Sequence, residues 1–379
     1  MRRTLLVTND YPPAVGGIQS YLEDFTRRLP AEDLLVLTST PAHGQAAARH
    51  YDATLPFPVH RMSTPVLLPT PALRTRMEHL IREQHVETVW FGASAPLGLL
   101  GGAAHRAGAT RVVATTHGHE VGWAKVPGPR ALLRRIFAAA DVVTYISTYT
   151  LEKLRPFIPA DTELVRLNSG IDVDTFRPDA QARDALRSRY GLGEAPVVVC
   201  VSRLVHRKGQ DTLIRVWPRV VARVPDARLV IVGSGPYAKQ LERMRQESPV
   251  SAAVTLTGEV PAAELAAHDA MADVFAMPCR TRNGGLDVEG LGIVYLEASA
   301  AGVPVIAGDS GGAPETVREG VTGLVVPGRN DDALVDAVVG LLEDPARRRA
   351  MGVAGREWME REWTWPHLVE RLVTALDAR

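Results

Sequence analysis

The chain has 379 residues, of which 46% are hydrophobic, and its 43 Lys and Arg residues are balanced by 43 Asp and Glu residues. Zero net charge excludes a protein that coats nucleic acid through bulk positive charge, and the apolar fraction excludes a charge-rich disordered chain. The two cysteines are too few for a disulfide scaffold and indicate a reducing compartment. The charge is split, because residues 1–170 hold 18 basic and 14 acidic side chains, whereas residues 171–379 hold 25 and 29.

Neither an export signal nor a membrane span is expected. Met1–Asn9 contains two arginines and fewer apolar residues than the about seven to fifteen of a secretory core. No window reaches the roughly 18 apolar residues of a transmembrane helix. A soluble or peripheral protein in the cytoplasm is predicted.

Short apolar, β-branched runs alternate with longer amphipathic stretches along the whole chain. In the first half the predicted strands are Thr4–Thr8, Leu34–Leu37, Thr88–Phe91, Arg111–Thr115, Val142–Ile146 and Glu163–Leu167. In the second half they are Val197–Val201, Arg228–Val232, Val254–Leu256, Val274–Ala276, Val303–Ala307 and Gly323–Val326. Helical patterns between them include Ser20–Leu29, Leu73–Gln84, Thr212–Val224 and Asp331–Leu342. This alternation is typical of parallel sheets covered by helices, so the chain is predicted to be α/β with two doubly wound domains.

The boundary between the domains is predicted in Asn168–Pro178, which holds turn formers and a proline after a predicted strand. This divides the chain into residues 1–170 and 171–357. The last segment, 358–379, is predicted to contain one helix over Trp358–Leu376 that packs back on the first domain.

Glycines and cations follow several predicted strands, where open α/β sheets bind ligands. Gly16 and Gly17 precede a helix and would let backbone N–H groups approach an anion, although a tight turn explains the pair equally well. Arg203, Arg207 and Lys208 follow the first strand of the second domain and suit a pyrophosphate, with a solvated basic turn as the alternative. Val232–Pro236 is either a second close-approach loop or an ordinary turn. Neither GxGxxG nor a P-loop is present.

The most specific segment runs from Gly284 to Ala298 and carries Glu289 and Glu297, separated by seven residues. Its glycines place a helix start near Gly292, where free N–H groups would face a ligand. Carboxylates accept hydrogen bonds from vicinal hydroxyls, so the pair indicates a reader of sugar or ribose. Two solvated surface glutamates are the alternative, which the apolar and glycine-rich surroundings disfavour.

Histidines and an acidic triplet give weaker signals. His117 lies in the segment Thr116–Glu120, THGHE, after a predicted strand, and it could hydrogen-bond a phosphate or a sugar hydroxyl. Zinc bound by the two histidines and Glu120 would lack a third distant ligand. The DxD triplet at 172–174 lies in the predicted linker, where turn and capping roles are favoured. A Ser–His–Asp hydrolase is disfavoured, because no GxSxG elbow is present.

Together these motifs resemble the family 4 retaining glycosyltransferases of the GT-B fold, in which two Rossmann-like domains face a central cleft. The resemblance covers essentially the whole chain and is closest to actinobacterial mannosyltransferases that act on phosphatidylinositol mannosides. It is carried by TNDYPP, GGIQSYL, WFGA, THGHEVGW, RKGQD, GLDVEGLGIVYLEA and GDSGGAPETV. It implies a hexosyltransferase of glycolipid biosynthesis that takes mannose from GDP-mannose, adds it to phosphatidylinositol monomannoside and requires no metal.

The resemblance also implies roles for individual residues, with the acceptor on the first domain and the nucleotide sugar on the second. The implied donor-binding residues are Gly16, Gly17, Arg203, Lys208, Val260, Glu289, Gly292, Ile293, Val294 and Glu297. The implied acceptor residues are Asp10, Tyr11, Gln19 and His119. The implied catalytic residues are His117, Arg203, Lys208 and Glu289. The family pattern usually has proline where His206 stands, and glycine or alanine where Asn283 stands.

The mechanism that the resemblance implies is front-face displacement with retained configuration, in which the leaving phosphate takes the acceptor proton. Domain closure over the donor would exclude water. Alternatives are a transferase of the same fold with another donor or acceptor, a nucleotide-sugar epimerase, and a non-catalytic sugar-nucleotide binder.

Contact with the cytoplasmic face of the plasma membrane is suggested by two segments of the first domain, which carries the basic excess. Apolar residues beside cations suit an anionic lipid surface, although core packing and a solvated helix face explain the segments equally well. The first segment is the loop 65–69 with Arg61, Arg74 and Arg76, and the second holds Trp123, Lys125, Arg130, Arg134 and Arg135.

Overall fold

The apolar runs of the sequence form the strands of two parallel sheets. The computed structural model describes residues 1–14, 16–42 and 44–377. They divide into two units, of which the first is Met1–Ser169 with the chain end from Pro366, and the second is Gly170–Trp365. Residues 378–379 of the predicted final segment lie outside the described residues.

In the first unit the strands are all parallel and run in the order β3-β2-β1-β4-β5-β6-β7. Their bounds are β1 (Thr4–Thr8), β2 (Leu34–Thr38), β3 (Val59–Arg61), β4 (Thr88–Phe91), β5 (Arg111–Thr116), β6 (Val142–Tyr145) and β7 (Glu163–Arg166). The helices between them are α1 (Gly17–Thr26), α2 (Gln45–Asp52), α3 (Pro71–Glu83), α4 (Gly101–Ala107), α5 (Glu120–Ala124), α6 (Pro127–Phe137) and α7 (Thr148–Leu154). Leu5 of β1 pairs with Leu35 and Val89, and all three are fully buried.

In the second unit the strands are also parallel, in the order β10-β9-β8-β11-β12-β13. Their bounds are β8 (Val197–Val201), β9 (Arg228–Val232), β10 (Val254–Gly258), β11 (Val274–Met277), β12 (Val305–Gly308) and β13 (Gly323–Val326). The helices are α8 (Ala180–Arg189), α9 (Gln210–Arg223), α10 (Ala238–Glu247), α11 (Leu265–Ala270), α12 (Ile293–Ala300), α13 (Asp331–Leu342) and α14 (Pro345–Glu362). Because the strands of each sheet run the same way, the loops that follow them meet at one edge.

The predicted α/β class with two doubly wound, Rossmann-like domains is confirmed. Each predicted strand is present, with ends that differ by no more than two residues. The strand β3 was not predicted, because it is an edge strand of three residues, all half-buried, and two of them are polar. Such a segment lacks the apolar run by which the other strands were found.

The segment predicted as one helix, Trp358–Leu376, contains the end of α14 and a separate helix, α15 (Trp365–Asp377). The break lies at Trp363 and Thr364, where Ile171 donates its N–H to the Trp363 carbonyl and bridges to Thr364. Pro366 requires this break, because a proline cannot donate the helical hydrogen bond and its ring clashes with the preceding turn.

The helix α15 belongs to the first unit. The side chain of Thr88 in β4 donates to the carbonyl of Leu376, and that of Arg111 in β5 donates to the carbonyl of Ala375. Leu368 and Leu372 of the helix are fully buried. The helix α15 therefore completes the hydrophobic core of the first unit. Of the described helices, none is both long enough and apolar enough to cross a bilayer.

Asp273, just before β11, joins α8 to the sheet of the second unit. Its carboxylate accepts hydrogen bonds from Arg183 (2.9 Å), from Arg187 (2.7 Å) and from the backbone N–H of Val197 (2.8 Å). Burial alone would raise the pKa of Asp273, but these partners hold it below its ordinary value. The ionised carboxylate is therefore the form that the fold stabilises.

We expect Asp273→Asn to lower the free energy of unfolding by about 3 kcal/mol, because two guanidinium groups lose their counter-ion. The measurement is urea unfolding followed by circular dichroism at pH 7. Asp336→Asn is the matched control, since that carboxylate is 74% exposed and pairs with Arg223 at the surface. Its effect should be much smaller. Equal effects of the two substitutions would contradict this account.

Candidate active site

Lys208 and Glu289 form an ion pair in the second unit. Lys208 lies in the turn between β8 and α9, and its Nζ is 2.8 Å from Oε2 of Glu289. The two side chains are only 11% and 8% exposed. The two residues that the sequence analysis found 81 positions apart therefore meet at the carboxyl edge of the sheet, where Coulombic attraction is weakly screened.

The main chain of Glu289 is held by the loop that follows β12. Its N–H donates to Oγ of Ser310 (3.2 Å), and its carbonyl accepts from the N–H of Gly312 (3.0 Å). Between them Gly311 has a φ of 58°, and a Cβ there would overlap the Glu289 carbonyl oxygen. This loop is the GDSGG stretch of the sequence, whose role is thus to fix the position of Glu289.

The N-terminus of α12 presents free backbone donors beside Glu289. Gly292 stands at the N-cap with a φ of 89°, and a Cβ there would lie 2.6 Å from the ring of Tyr295. The first N–H bonded within this turn is that of Tyr295, which donates to the Gly292 carbonyl (3.1 Å). The amides of Ile293 and Val294 precede it and, with the helix dipole, favour an anion or a hydroxyl oxygen.

Glu297 lies one turn further along α12, and burial raises its pKa to about 7, against an opposing effect of Lys208. Asp269 of α11 is a second buried carboxyl near it. Burial, followed by the charge of Glu297, raises the pKa of Asp269 well above its ordinary value. Glu297 therefore changes its charge near neutral pH, so its ability to accept hydrogen bonds depends on pH.

Arg207, one of the three predicted cations, and Asp287, which was not predicted, join this cluster. Arg207 places Nε 3.6 Å from Glu289 and Nη1 3.6 Å from Asp287. Arg203 is exposed, and the buried Gln210 donates to its carbonyl (3.1 Å) and thereby shapes the loop. The pairing of Arg207 with Asp287 could not be predicted, because only the folded loops bring the two residues together.

The remaining predicted positions of the second unit lie around this cluster. Val260 follows β10 and is half-buried against the core. The loop 232–236 packs on the chain after β8, since Leu204 donates its N–H to the Ser234 carbonyl (2.9 Å). Internal packing therefore explains that loop. The ring of His206 lies 3.7 Å from that of Tyr237 between centroids.

Asn283 adopts a left-handed backbone conformation. Its φ is 50°, and the following Gly284 and Gly285 have φ values of 60° and 84°. Asparagine tolerates the left-handed region better than most residues, so it can replace glycine here with little strain.

In the first unit, the glycine pair forms the start of α1. Gly17 is the first residue of the helix, and a Cβ there would meet nothing within 4 Å, so the space beside its Cα is empty. Nearby, the side-chain amide of Gln19 donates to Oδ1 of Asp10 (2.9 Å). Gly16, Gly17, Asp10 and Gln19 are thus grouped at the end of β1.

Tyr11, expected to face an acceptor, is a core residue of the first unit. Its side chain is 1% exposed, and its hydroxyl hydrogen-bonds Oγ1 of Thr26 (3.0 Å). Burial raises the pKa of Tyr11 to about 12. With its ring enclosed and its hydroxyl paired, the side chain is not presented at the surface of this unit.

His117 lies in the loop between β5 and α5. Its Nε2 is 2.7 Å from the Gly92 carbonyl, which only accepts, so Nε2 carries the proton. Burial lowers the pKa of His117, with a smaller opposing effect of Glu120, so the ring is neutral at pH 7. Nδ1, with no hydrogen-bond partner in the described part of the chain, is therefore an acceptor. His119 is 39% exposed at the side chain and stacks on His117 with centroids 6.4 Å apart.

The DxD triplet forms a turn, as predicted. Asp172 accepts hydrogen bonds from the N–H groups of Asp174 (3.0 Å) and Thr175 (3.1 Å) and from the Thr175 hydroxyl (2.9 Å). Across the residues that the structure describes, no group of three His, Cys, Asp or Glu side chains could hold a metal ion.

The second unit thus combines cations and helix amides, which suit a diphosphate, with carboxylates, which suit hydroxyl groups. This cluster of the second unit suits a ligand that carries both phosphate and sugar. The first unit, taken by itself, holds a helix N-terminus after its glycine pair and a neutral imidazole acceptor.

Two family profiles match the chain. The profile "Glycosyltransferase Family 4" covers residues 15–175, and the profile "Glycosyl transferases group 1" covers residues 182–358.

Curated relatives match along the whole length. The GDP-mannose-dependent alpha-(1-6)-phosphatidylinositol monomannoside mannosyltransferase of Mycolicibacterium smegmatis is 55% identical over 378 residues, which cover 99% of this chain and 98% of that protein. The GDP-mannose-dependent monoacylated alpha-(1-6)-phosphatidylinositol monomannoside mannosyltransferase of Corynebacterium glutamicum is 50% identical, with coverage of 100% and 98%.

Solved structures share the fold at low identity. HepE from Anabaena in complex with UDP superposes with a TM-score of 0.81 at 18% identity, covering 99% of each chain. Sucrose-phosphate synthase from Thermosynechococcus elongatus gives a TM-score of 0.77 at 23% identity, covering 98% of each chain. The GT-B class expected from the sequence is confirmed. From the two profiles and the full-length relatives it follows that the chain belongs to glycosyltransferase family 4.

Proposed function

We propose that the chain is a retaining mannosyltransferase that moves mannose from GDP-mannose to phosphatidylinositol monomannoside and yields the dimannoside. The observation that carries this proposal is the identity of 50% or more, over 98% of their length, with two relatives whose names give GDP-mannose as the donor and phosphatidylinositol monomannoside, monoacylated in one of them, as the acceptor. The cluster around Lys208 and Glu289 supports it, because its chemistry suits a nucleotide sugar.

On the donor side, Arg203 and Lys208 bind the diphosphate and stabilise the charge that develops on it as the bond to the sugar breaks. Glu289 accepts hydrogen bonds from mannose hydroxyls, and the backbone N–H groups at 292–294 assist it. Glu297 accepts hydrogen bonds from the ribose hydroxyls, and Val260 contacts the base. The Lys208–Glu289 pair keeps both side chains extended toward the ligand and opens in part as the substrate's own charges and hydroxyls arrive.

In the first unit, the neutral Nδ1 of His117 accepts a hydrogen bond from a hydroxyl of the donor sugar. Gly16 and Gly17 offer backbone N–H groups to the donor, and Asp10 and Gln19 contact the acceptor. The acceptor hydroxyl attacks on the face from which the diphosphate leaves, and a phosphate oxygen takes its proton. This route needs no protein nucleophile, in contrast to covalent glycoside chemistry.

The acceptor is a lipid, so we further propose that the first unit rests on an anionic membrane at the cytoplasmic face. Val66 and Leu68 are each 56% exposed, whereas Leu67 between them is 1% exposed. Asn9 fixes the loop by bonding both the N–H and the carbonyl of Leu67. In the second suggested segment, the exposed Arg135 of α6 supplies a cation for lipid phosphates.

Arg61, which the sequence analysis placed beside this loop as a lipid-facing cation, is engaged internally. Its side chain is 10% exposed, pairs with Asp52 at 2.8 Å and donates to the carbonyls of Pro12 and Ser39. It therefore stabilises the first unit and is not part of the proposed membrane surface.

Purified protein incubated with GDP-mannose and phosphatidylinositol monomannoside should form the dimannoside and GDP in equal amounts, as measured by mass spectrometry of the lipid and by nucleotide chromatography. Lys208→Ala and Glu289→Gln should each lower kcat/KM by about 100-fold, because each removes a charged contact to the donor. Lys239→Ala, which removes an exposed lysine of α10, is the matched control and should leave the rate unchanged.

The proposed acceptor would be overturned if mannose were transferred only to a different acceptor, or if it were released to water without transfer to any acceptor. Retention of the wild-type rate by either site variant would overturn the assignment of the site.

GDP-mannose should bind more weakly as the pH falls from 8 to 6, because Glu297, whose pKa is about 7, must lose its proton before it accepts from the ribose. The loss should approach tenfold per pH unit below that pKa. Calorimetry in the absence of acceptor measures the Kd for GDP-mannose at each pH. The diphosphate diester of the ligand does not titrate in this range, so a change in Kd reports on the protein. Glu297→Gln should bind weakly at every pH, and a pH-independent Kd of the wild-type protein would refute the link.

The double variant Val66→Asp, Leu68→Asp should lose most binding to vesicles that contain anionic phospholipid, because it removes two apolar anchors and adds two repelled charges. Sedimentation with vesicles measures the bound fraction. Val321→Asp, at a loop residue of the second unit that is 54% exposed, is the control and should bind as the wild type does. Equal binding by the double variant would exclude this loop as the contact.

A further inference from the structure

Glu120 is a buried carboxylate that has no donor-binding, acceptor-binding or catalytic role in the proposed function. It is the first residue of α5, directly after the loop that carries His117, and its side chain is fully buried. A buried carboxylate is costly unless hydrogen bonds satisfy it. Its partners therefore indicate what it is for.

Each oxygen of Glu120 has identified partners. Oε2 accepts from the backbone N–H groups of His117 (3.1 Å) and Gly118 (3.0 Å). Oε1 accepts from the hydroxyl of Ser94 (2.9 Å) and lies 3.4 Å from Nε2 of His119. Hydrogen bonds to a charged acceptor are stronger than neutral ones, so the backbone at 117–118 is held at two successive points.

The ring of His117 is held separately, through Nε2 and the carbonyl of Gly92 in the loop after β4. That bond fixes the tautomer, and Glu120 fixes the main chain from which the ring extends. Ser94 lies two residues after Gly92, so Glu120 also bonds the loop that supplies the ring's partner. The imidazole is thus held from both ends, with Nδ1 left as the acceptor.

We propose that Glu120 is the positioning residue of His117: its carboxylate holds the backbone of the 117–118 turn so that the imidazole presents Nδ1 to the sugar. This rests on the proposed function, which gives Nδ1 its partner. Glu120 itself touches no substrate, and its effect on turnover is exerted through His117.

Three substitutions separate geometry, charge and packing. Glu120→Asp keeps the charge but withdraws the oxygens by one methylene from the two N–H groups. Glu120→Gln removes the charge but keeps an oxygen acceptor for them and a donor for the hydroxyl of Ser94. Ser94→Ala leaves both backbone bonds intact and serves as the matched control.

Glu120→Asp should lower kcat by about 100-fold, the scale of a displacement of roughly 1 Å at a reacting group. Its KM for GDP-mannose should change less than about twofold, because the donor cations are unaltered. Glu120→Gln and Ser94→Ala should remain within about fivefold of the wild-type kcat. A kcat of Glu120→Asp close to the wild-type value would overturn the proposal.

A double-variant cycle with His117→Ala tests whether the effect passes through the ring. If it does, adding Glu120→Asp to His117→Ala should lower kcat less than threefold further. A full additional 100-fold loss would mean that Glu120 supports the fold generally and would overturn the positioning role. Thermal unfolding of each variant identifies any that does not fold. If Glu120→Asp does not fold while Glu120→Gln and Ser94→Ala do, Glu120 supports the fold generally and the positioning role is overturned.

A spectroscopic measurement keeps this proposal distinct from the proposed function. Nitrogen NMR of ¹⁵N-labelled histidine rings in the full chain should show wild-type His117 as the single Nε2–H tautomer, assigned by its loss in His117→Ala. In Glu120→Asp it should become a mixture. An unchanged spectrum would overturn the positioning role even in an active enzyme, and an inactive wild type with this spectral change would count against the substrate alone.

Discussion

The ion pair between Lys208 and Glu289 is the interaction on which the site of the second unit depends. Two opposite charges that are nearly enclosed stabilise each other, and each would be costly without its partner. The pair links two separate parts of the chain. The turn that carries Lys208 and the loop that hydrogen-bonds the main chain of Glu289 must both be in place for the charges to meet. A ligand with phosphates and hydroxyls offers each of them a new partner, so the same burial that makes the pair necessary makes the ligand contacts strong.

Most of the fold was readable from the sequence because its strands are buried on both faces. Runs such as Val197–Val201 contain apolar residues at every position, a signal that does not depend on neighbours. The helix break before α15 was missed for the opposite reason. The tryptophans at 358, 363 and 365 continue an apolar pattern across it, and Pro366 alone marked the interruption.

The site was predicted only where residue type and local spacing determine the chemistry. Glu289, Glu297 and the helix start at Gly292 lie within one segment, so their relation is local. The family resemblance implied that Tyr11 faces the acceptor, whereas its side chain is buried and its hydroxyl hydrogen-bonds Thr26 on the helix that follows. Arg207 with Asp287, and Glu120 with Ser94, depend on contacts between separate loops, which no single segment encodes.

The return of α15 to the first unit has a consequence for how the chain is made. Leu368 and Leu372, together with the carbonyls that accept hydrogen bonds from Thr88 and Arg111, are synthesised after the whole of the second unit. During translation, part of the hydrophobic core of the first unit therefore remains uncovered until the entire second unit has been synthesised. The second unit, by contrast, is continuous in sequence from Gly170 to Trp365 and meets no such delay. The order of synthesis and the order of completion are therefore reversed, and the unit begun first is the one finished last.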